Sequence, residues 1–226
     1  YIGAKDLGAL ISPGFCQRCF WFQRHYGPFP SMFPGIFSVI DSVSKKSVYR
    51  SFFRRKKLPD WLDIKDVAGL PRLEEVGTVE SYLNRKYLVS LHKKSGWILR
   101  GTPDSVFKLK DGTIHIVDFK TSRFTPKQDE LFPIYEIQLN SYSFLAHKFK
   151  TSKISLIYCE PNSEMKDDIN FSLDFTTKIV PIELKSGIIP DLLMKAREIV
   201  DLKNPPPALP NCRGTCHYID KITLEE

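Results

Sequence analysis

The stretch GTPDSVFKLKDGTIHIVDFKTS, residues 101–122, decides how the whole chain is read. It predicts a strand running from Gly96 to Leu109 and another from Thr113 to Thr121, joined by the turn residues Lys110, Asp111 and Gly112. Side chains alternate along a strand, so Asp118 and Lys120 share a face while Phe119 points the other way. With a three-residue loop and Gly112 in the left-handed region, Leu109 faces Thr113 and Asp104 lies opposite Asp118. A two-residue Asp-Gly loop would slip the register by one and turn Asp104 to the far face.

The chemistry follows from that pairing. Two carboxylates held side by side repel each other unless a divalent cation sits between them. Hard oxygen ligands suit Mg²⁺ or Mn²⁺. Such an ion offsets charge building up on a phosphate and lowers the pKa of a bound water, and Lys120 on the same face would orient that water or neutralise the pentavalent phosphate. The pattern therefore points to metal-assisted phosphodiester hydrolysis; its rival is a pair of solvated strand ends. The acid-x-Lys triplet alone discriminates nothing, since Asp63-Ile64-Lys65, Glu164-Met165-Lys166, Glu183-Leu184-Lys185 and Asp201-Leu202-Lys203 also carry it. Asp118-Phe119-Lys120 differs in context. An apolar strand precedes it, Asp104 comes one hairpin earlier, and a helix follows with Gln138 and Tyr142 at i, i+4 on one face.

Outward from this core, Ile36, Val39, Ile40 and Val43 recur at helical spacing and predict a helix over 36–57, opened by Pro34-Gly35 and closed by Leu58-Pro59. Lys46, Arg50, Arg54 and Lys57 line another face of it and are candidate phosphate contacts for a nucleic acid. KYLVSLH at 86–92 reads as a strand, 131–149 as a helix, KISLIYCE and INFSLDF as further strands, and 190–202 as a last helix. This order predicts an α/β fold with a mixed sheet. A chain of 226 residues, 42% hydrophobic, suffices for one such domain. It is expected over 1–226, with a basic helical part at 1–60, a catalytic core at 85–160, and a C-terminal helix and cysteine pair at 190–226.

Charge is one-sided. Residues 1–60 hold ten Lys and Arg against three Asp, a surplus equal to the whole net charge of +7. That imbalance suggests a polyanionic partner, with a solvated helix face as the alternative. No apolar run reaches membrane-spanning length and no secretory leader is visible, so a soluble, cytoplasmic protein without a membrane partner is expected. The first residue is not Met, so a short preceding piece is expected.

Cys16 and Cys19 form a C-x2-C, and Cys212 and Cys216 a C-x3-C. Two close pairs at opposite ends of a chain read as intracellular suggest one four-thiolate metal site clipping the termini together, rather than disulfides. Tetrahedral thiolate sites suit Zn²⁺. Cys159 reads as a buried core thiol. His115 is expected to pack within its strand, and His217 is a lesser alternative ligand beside Cys216. Phe20, Trp21 and Phe22 are expected to pack around the thiolate site, with base stacking as the alternative.

GTPD at 101–104, VDFKT at 117–121 and QLNSY at 138–142 together resemble the PD-(D/E)XK nuclease superfamily, in its RecB-like branch, which includes CRISPR-associated exonucleases. The similarity extends from Cys16 to Cys216. It implies a restriction-endonuclease-like core, a central mixed sheet flanked by helices. By position, Asp104 and Asp118 would be metal-binding acids, the Phe119 carbonyl a further ligand, and Lys120 the catalytic lysine. Gln138 and Tyr142 would lie beside the active site and DNA, and Thr121 is the usual residue after the lysine. The family often adds a metal ligand, commonly His, on an upstream helix. GIFSVIDSVSKK at 35–46 has none, which leaves Asp41 as the candidate and a simple Asp41–Lys45 pair as the alternative.

The resemblance also implies a [4Fe–4S] cluster at the cysteines. Its iron–sulfur members place one cysteine early and three late, however, and this chain divides them two and two, so Zn²⁺ stays open. The expected activity is that of a Mg²⁺- or Mn²⁺-dependent deoxyribonuclease, an exonuclease on DNA with single-stranded character that leaves 5′-phosphate and 3′-hydroxyl ends. Its setting would be DNA repair, recombination or CRISPR-type processing, with other subunits of such complexes as candidate partners. The rivals are a nuclease-like subunit that binds nucleic acid with little activity, and a zinc-stabilised binding module whose acids are structural.

Overall fold

Apolar side chains on both faces make Ile114–Lys120 the most enclosed strand of the molecule, with every residue but Lys120 buried. The computed structural model describes residues 1–28, 34–124, 131–162, 169, 172–212, 214, 216, 218 and 219. In chain order its elements are β1 (Ile2–Gly3), α1 (Ala4–Gly8), α2 (Gln17–Tyr26), α3 (Gly35–Arg55), β2 (Val67–Gly69), α4 (Leu73–Val76), β3 (Val79–Tyr82) and β4 (Arg85–His92). There follow β5 (Trp97–Gly101), β6 (Ser105–Leu109), β7 (Ile114–Lys120), α5 (Phe132–Leu145), β8 (Thr151–Pro161), β9 (Phe175–Ile182) and α6 (Ile189–Val200).

The described strands form two mixed sheets. One has the order β1-β5-β4-β3, with β1 parallel to β5; the other has the order β2-β6-β7-β8-β9, with β7 parallel to β8. A parallel pair needs a long crossover, and α5 provides it between β7 and β8. Period-two alternation then divides the strand residues between two cores. Ile114, Ile116, Leu156 and Tyr158 pack with Ile137, Leu139 and Leu145 of α5 and Leu193 of α6. Val117, Phe119, Ile157 and Cys159 pack on the opposite face with Val48 of α3 and Leu62. Helix α6 buries Ile189, Leu193, Ala196 and Ile199, the spacing of one helical face. Helix α3 fully buries only Val48 and Ser51 and leaves Val39, Val43 and Phe53 exposed.

The hairpin that decides the reading is built with the three-residue loop. Leu109 N–H donates to the Thr113 carbonyl at 2.8 Å, and Gly112 takes φ +83°, a left-handed conformation that costs glycine little. Ser105 pairs with Val117 and Phe107 with His115; continued one step past β6, this register sets Asp104 against Asp118, and the Asp104 carboxylate accepts the neighbouring Phe119 N–H.

Three expectations differ from the structure. The run from Gly96 to Leu109 is two strands in different sheets, broken at Thr102–Asp104, where Pro103 has no N–H for a ladder. The strands thus divide into two mixed sheets flanked by helices, within the α/β architecture expected. The helix expected to reach residue 57 stops at Arg55, because Lys56 turns left-handed (φ +55°) and donates its N–H to the Phe52 carbonyl. The strand expected over 169–175 lies later, at Phe175–Ile182; residues 170 and 171 fall outside the described ones. Among the described residues, no helix is long and apolar enough to cross a membrane.

Candidate active site

The end of β7, the start of β6, α3 and α5 converge on the two acids. Asp118 is buried, and its carboxylate accepts from Lys120 Nζ at 2.5 Å and from Gln138 Nε2 at 3.2 Å. Lys120 also donates to Gln138 Oε1 at 3.4 Å, so Asp118, Lys120 and Gln138 close a ring of contacts. Gln138 Nε2 donates its second hydrogen to the Tyr142 hydroxyl at 2.7 Å. Spacing of i, i+4 on α5 makes that last contact possible. Burial, and then the Asp118 charge, holds the Tyr142 phenol neutral well above its ordinary pKa. The Tyr142 ring lies against bare backbone, since a Cβ at Gly101 would come within 2.5 Å of it.

Asp104 faces the same space from β6. Its Oδ2 accepts the Phe119 N–H at 2.8 Å and its Oδ1 lies 2.6 Å from Lys45 Nζ. Burial, and then the neighbouring Asp118 charge, raises its pKa to about 6, against the opposing pull of Lys45. Lys45 also reaches Asp41 at 2.7 Å, so one ammonium bridges two carboxylates. Burial opposes that charge, but Asp104 and Asp41 together hold the Lys45 pKa above its ordinary value.

The donor set suits a hard divalent ion. A strand residue turns its N–H and C=O toward the same edge, so the Phe119 carbonyl projects on the side where its N–H meets Asp104. Two carboxylates and a carbonyl are oxygen ligands of the kind Mg²⁺ or Mn²⁺ accepts. A cleft of about 330 Å³ opens beside them, lined by Asp41, Phe119, Lys120, Thr121 and Tyr135. Asp41 thus borders this cleft, paired with Lys45 as the alternative reading expects. The pair's further reach to Asp104 has no signal in the sequence.

The cysteines do converge. Sγ atoms of Cys16, Cys19, Cys212 and Cys216 all lie within 4.8 Å of one another, and no disulfide joins them. Among the described residues this is the only group of three or more such donors so gathered. The N–H groups of Leu209, Gly214 and Cys216 each point at one of the sulfurs at 3.4 Å, as thiolates require. Hydrogen bonds of this kind bring Cys16 down to about pKa 7 against the effect of burial, whereas burial holds the Cys19 and Cys216 thiols above their ordinary value without an ion. Gly214 packs closely there, since a Cβ would come within 3.1 Å of the Cys19 sulfur. Burial raises the Cys159 thiol to about 11 in the core, far from ligand character. His217 lies outside the described residues.

Lys46, Arg50 and Arg54 are exposed on α3, whereas Lys57 lies past its C-terminus and leaves their row. Phe20 and Trp21 are buried, and Trp21 donates to the Leu202 carbonyl and stacks on His25. Both rings are therefore closed to bases. His115 is buried and paired with Ser155 at 2.9 Å.

The chain is also similar to known proteins. No curated protein matches it. The crystal structure of SSO0001 is similar at 16% identity and a TM-score of 0.42, over 91% of this chain and 77% of that one. The family model of the PD-(D/E)XK nuclease superfamily matches residues 49–220. With that match over most of its length, the chain belongs to the PD-(D/E)XK nuclease superfamily.

Proposed function

We propose that this protein hydrolyses phosphodiester bonds in DNA, with Asp104, Asp118 and Lys120 as its catalytic residues. One observation carries the reading: Asp104 stands across the hairpin from Asp118, with the Lys120 ammonium 2.5 Å from the Asp118 carboxylate. Asp104, Asp118 and the Phe119 carbonyl would hold Mg²⁺ or Mn²⁺, which when bound offsets charge on the scissile phosphate and acidifies water beside it. Lys120 is steadied by Asp118 and Gln138, within reach of the attacking water or the phosphate oxygens. Gln138, anchored by Tyr142, keeps the Asp118 carboxylate aimed. Asp41 joins the ligands once Lys45 releases it. Attack at phosphorus with loss of the 3′-oxygen leaves 5′-phosphate and 3′-hydroxyl ends. The exposed cations of α3 suit a DNA substrate. The cysteine group is proposed to hold a structural metal that ties α2 to the C-terminal segment.

A second reading, a nucleic-acid-binding subunit with little activity, is favoured by Lys45, which already neutralises Asp104 without an ion. Linear and circular single-stranded DNA in Mn²⁺ or in EDTA separate the two. Mn²⁺-dependent loss of the linear form alone identifies an exonuclease, and loss of both an endonuclease. DNA left intact with every divalent ion removes the hydrolase reading.

A further inference from the structure

Two neighbouring rows of side chains run along α3. At 3.6 residues per turn, residues four apart line up, so Asp41, Lys45, Tyr49 and Phe53 form one ridge and Ser42, Lys46, Arg50 and Arg54 the next. The first ridge starts at the candidate catalytic acids, since Lys45 contacts Asp104. It then rises in steps of about 6 Å to Tyr49 and Phe53. These two rings are 44% and 64% exposed, nearly parallel at 13°, with centroids 6.3 Å apart. Held parallel in solvent, the two rings present adjacent flat apolar faces that a partner can cover.

The second ridge identifies that partner. Lys46, Arg50 and Arg54 are exposed and form no ion pair with the described residues. Between Asp41 and Asp60 the sequence has seven Lys and Arg and no acid. A groove of about 590 Å³ follows the far flank of this ridge, lined in part by Lys46, Arg50, Arg54 and Arg55. Flat apolar rings beside a row of exposed cations match the two parts of an unpaired nucleotide, its base face and its phosphate. In a duplex the base faces are already stacked on one another and offer nothing to Tyr49 or Phe53.

We propose that Tyr49 and Phe53 stack on unpaired bases of a single-stranded nucleic acid, whose phosphates track Lys46, Arg50 and Arg54 and which continues toward Asp104 and Asp118. This rests on the proposed nuclease function for its direction but not for its test. The stacking site lies on α3, not at the buried Phe20 and Trp21.

The test is binding by the full chain in EDTA, where no hydrolysis occurs. Fluorescence anisotropy is read with a labelled oligothymidylate of about twenty residues, an abasic strand of equal length, and a duplex. Stacking strength predicts that Tyr49→Ala with Phe53→Ala weakens oligothymidylate binding by at least about 10-fold. Duplex and abasic-strand binding stay within about 2-fold, and Tyr49→Phe keeps wild-type affinity. Neutralising Lys46, Arg50 and Arg54 to Gln instead lowers the salt slope by about 0.7 for each phosphate that loses its cation. Unchanged oligothymidylate binding in the double variant, or equal losses on all three probes, overturns the proposal. Intact, aromatic-dependent binding without cleavage in any divalent ion would sink the nuclease function and leave this site standing.

Discussion

Lys45 Nζ lies 2.6 Å from Asp104 and 2.7 Å from Asp41, which makes it a resident cation among the acids proposed to hold metal. Two unit charges about 4 Å apart near a protein surface interact by about 4 kcal/mol before desolvation offsets part of it. Lys45→Met therefore leaves Asp104 and Asp41 without their counterion. Calorimetry or the paramagnetic resonance of free Mn²⁺ is expected to show Mn²⁺ binding about 10-fold tighter or more in the variant. Weaker or equal binding would mean that Lys45 does not compete for this site.

Gly101 supports the site from behind. Its missing side chain leaves room for the Tyr142 ring, which holds Gln138 and through it Asp118. Gly101→Ala forces the ring or the strand to move, an overpacking cost of about 1–3 kcal/mol. Urea unfolding should report that loss, and the rate of DNA cleavage should fall with it. Full stability together with full activity would show that the ring has slack.

The pH response of stability has one clear carrier. Burial, with Lys153 adding to it, lowers the His115 pKa from 6.5 to about 4, and its Nδ1 has no hydrogen-bond partner among the described residues. The unfolded chain thus binds more protons between these values, so His115 contributes stability above pH 6.5 that is lost as pH falls toward 4. Between pH 7 and pH 5 the loss is about 2 kcal/mol. Asp104 acts in the opposite sense, because its raised pKa costs stability as pH climbs toward 6. The measurement is therefore a difference. Unfolding free energies of wild type and His115→Gln at both pH values should diverge by about that amount, and parallel curves would contradict the assignment.

We propose that the four sulfurs hold one ion rather than a cluster. A Zn–S bond of about 2.3 Å gives a tetrahedron edge of about 3.8 Å. Cys16–Cys216, Cys19–Cys212 and Cys19–Cys216 lie at 3.7, 3.3 and 3.2 Å, at or inside that edge, and all the sulfurs lie within 4.8 Å of one another, whereas a cube of iron and sulfide holds its thiolates farther apart. Protein purified without oxygen should be colourless, with about one zinc per chain and no acid-labile sulfide. Brown protein with iron and sulfide would reverse this choice.

The sequence disclosed what local chemistry controls. Gly112 after Asp111 sets the turn, the turn sets the register, and the register puts Asp104 opposite Asp118. Gln138 and Tyr142 share a face because helical spacing requires it. What stayed hidden depends on packing between distant segments. Lys45 was legible as a partner of Asp41 but not of Asp104, because nothing local fixes how α3 approaches β6. Aromatic identity could not separate Phe20 and Trp21, which are buried, from Tyr49 and Phe53, which are not. The break at Pro103 had a local cause, but the exchange of sheets there did not.

The most direct test is the cleavage rate of end-labelled single-stranded DNA in saturating Mn²⁺ by wild type, Asp104→Asn and Asp118→Asn. Each variant keeps the shape of the side chain and removes a charge the ion requires. A fall of at least about 100-fold in both folded variants is expected if the two acids share one ion. Rates within about 2-fold of wild type in either variant would contradict the central claim.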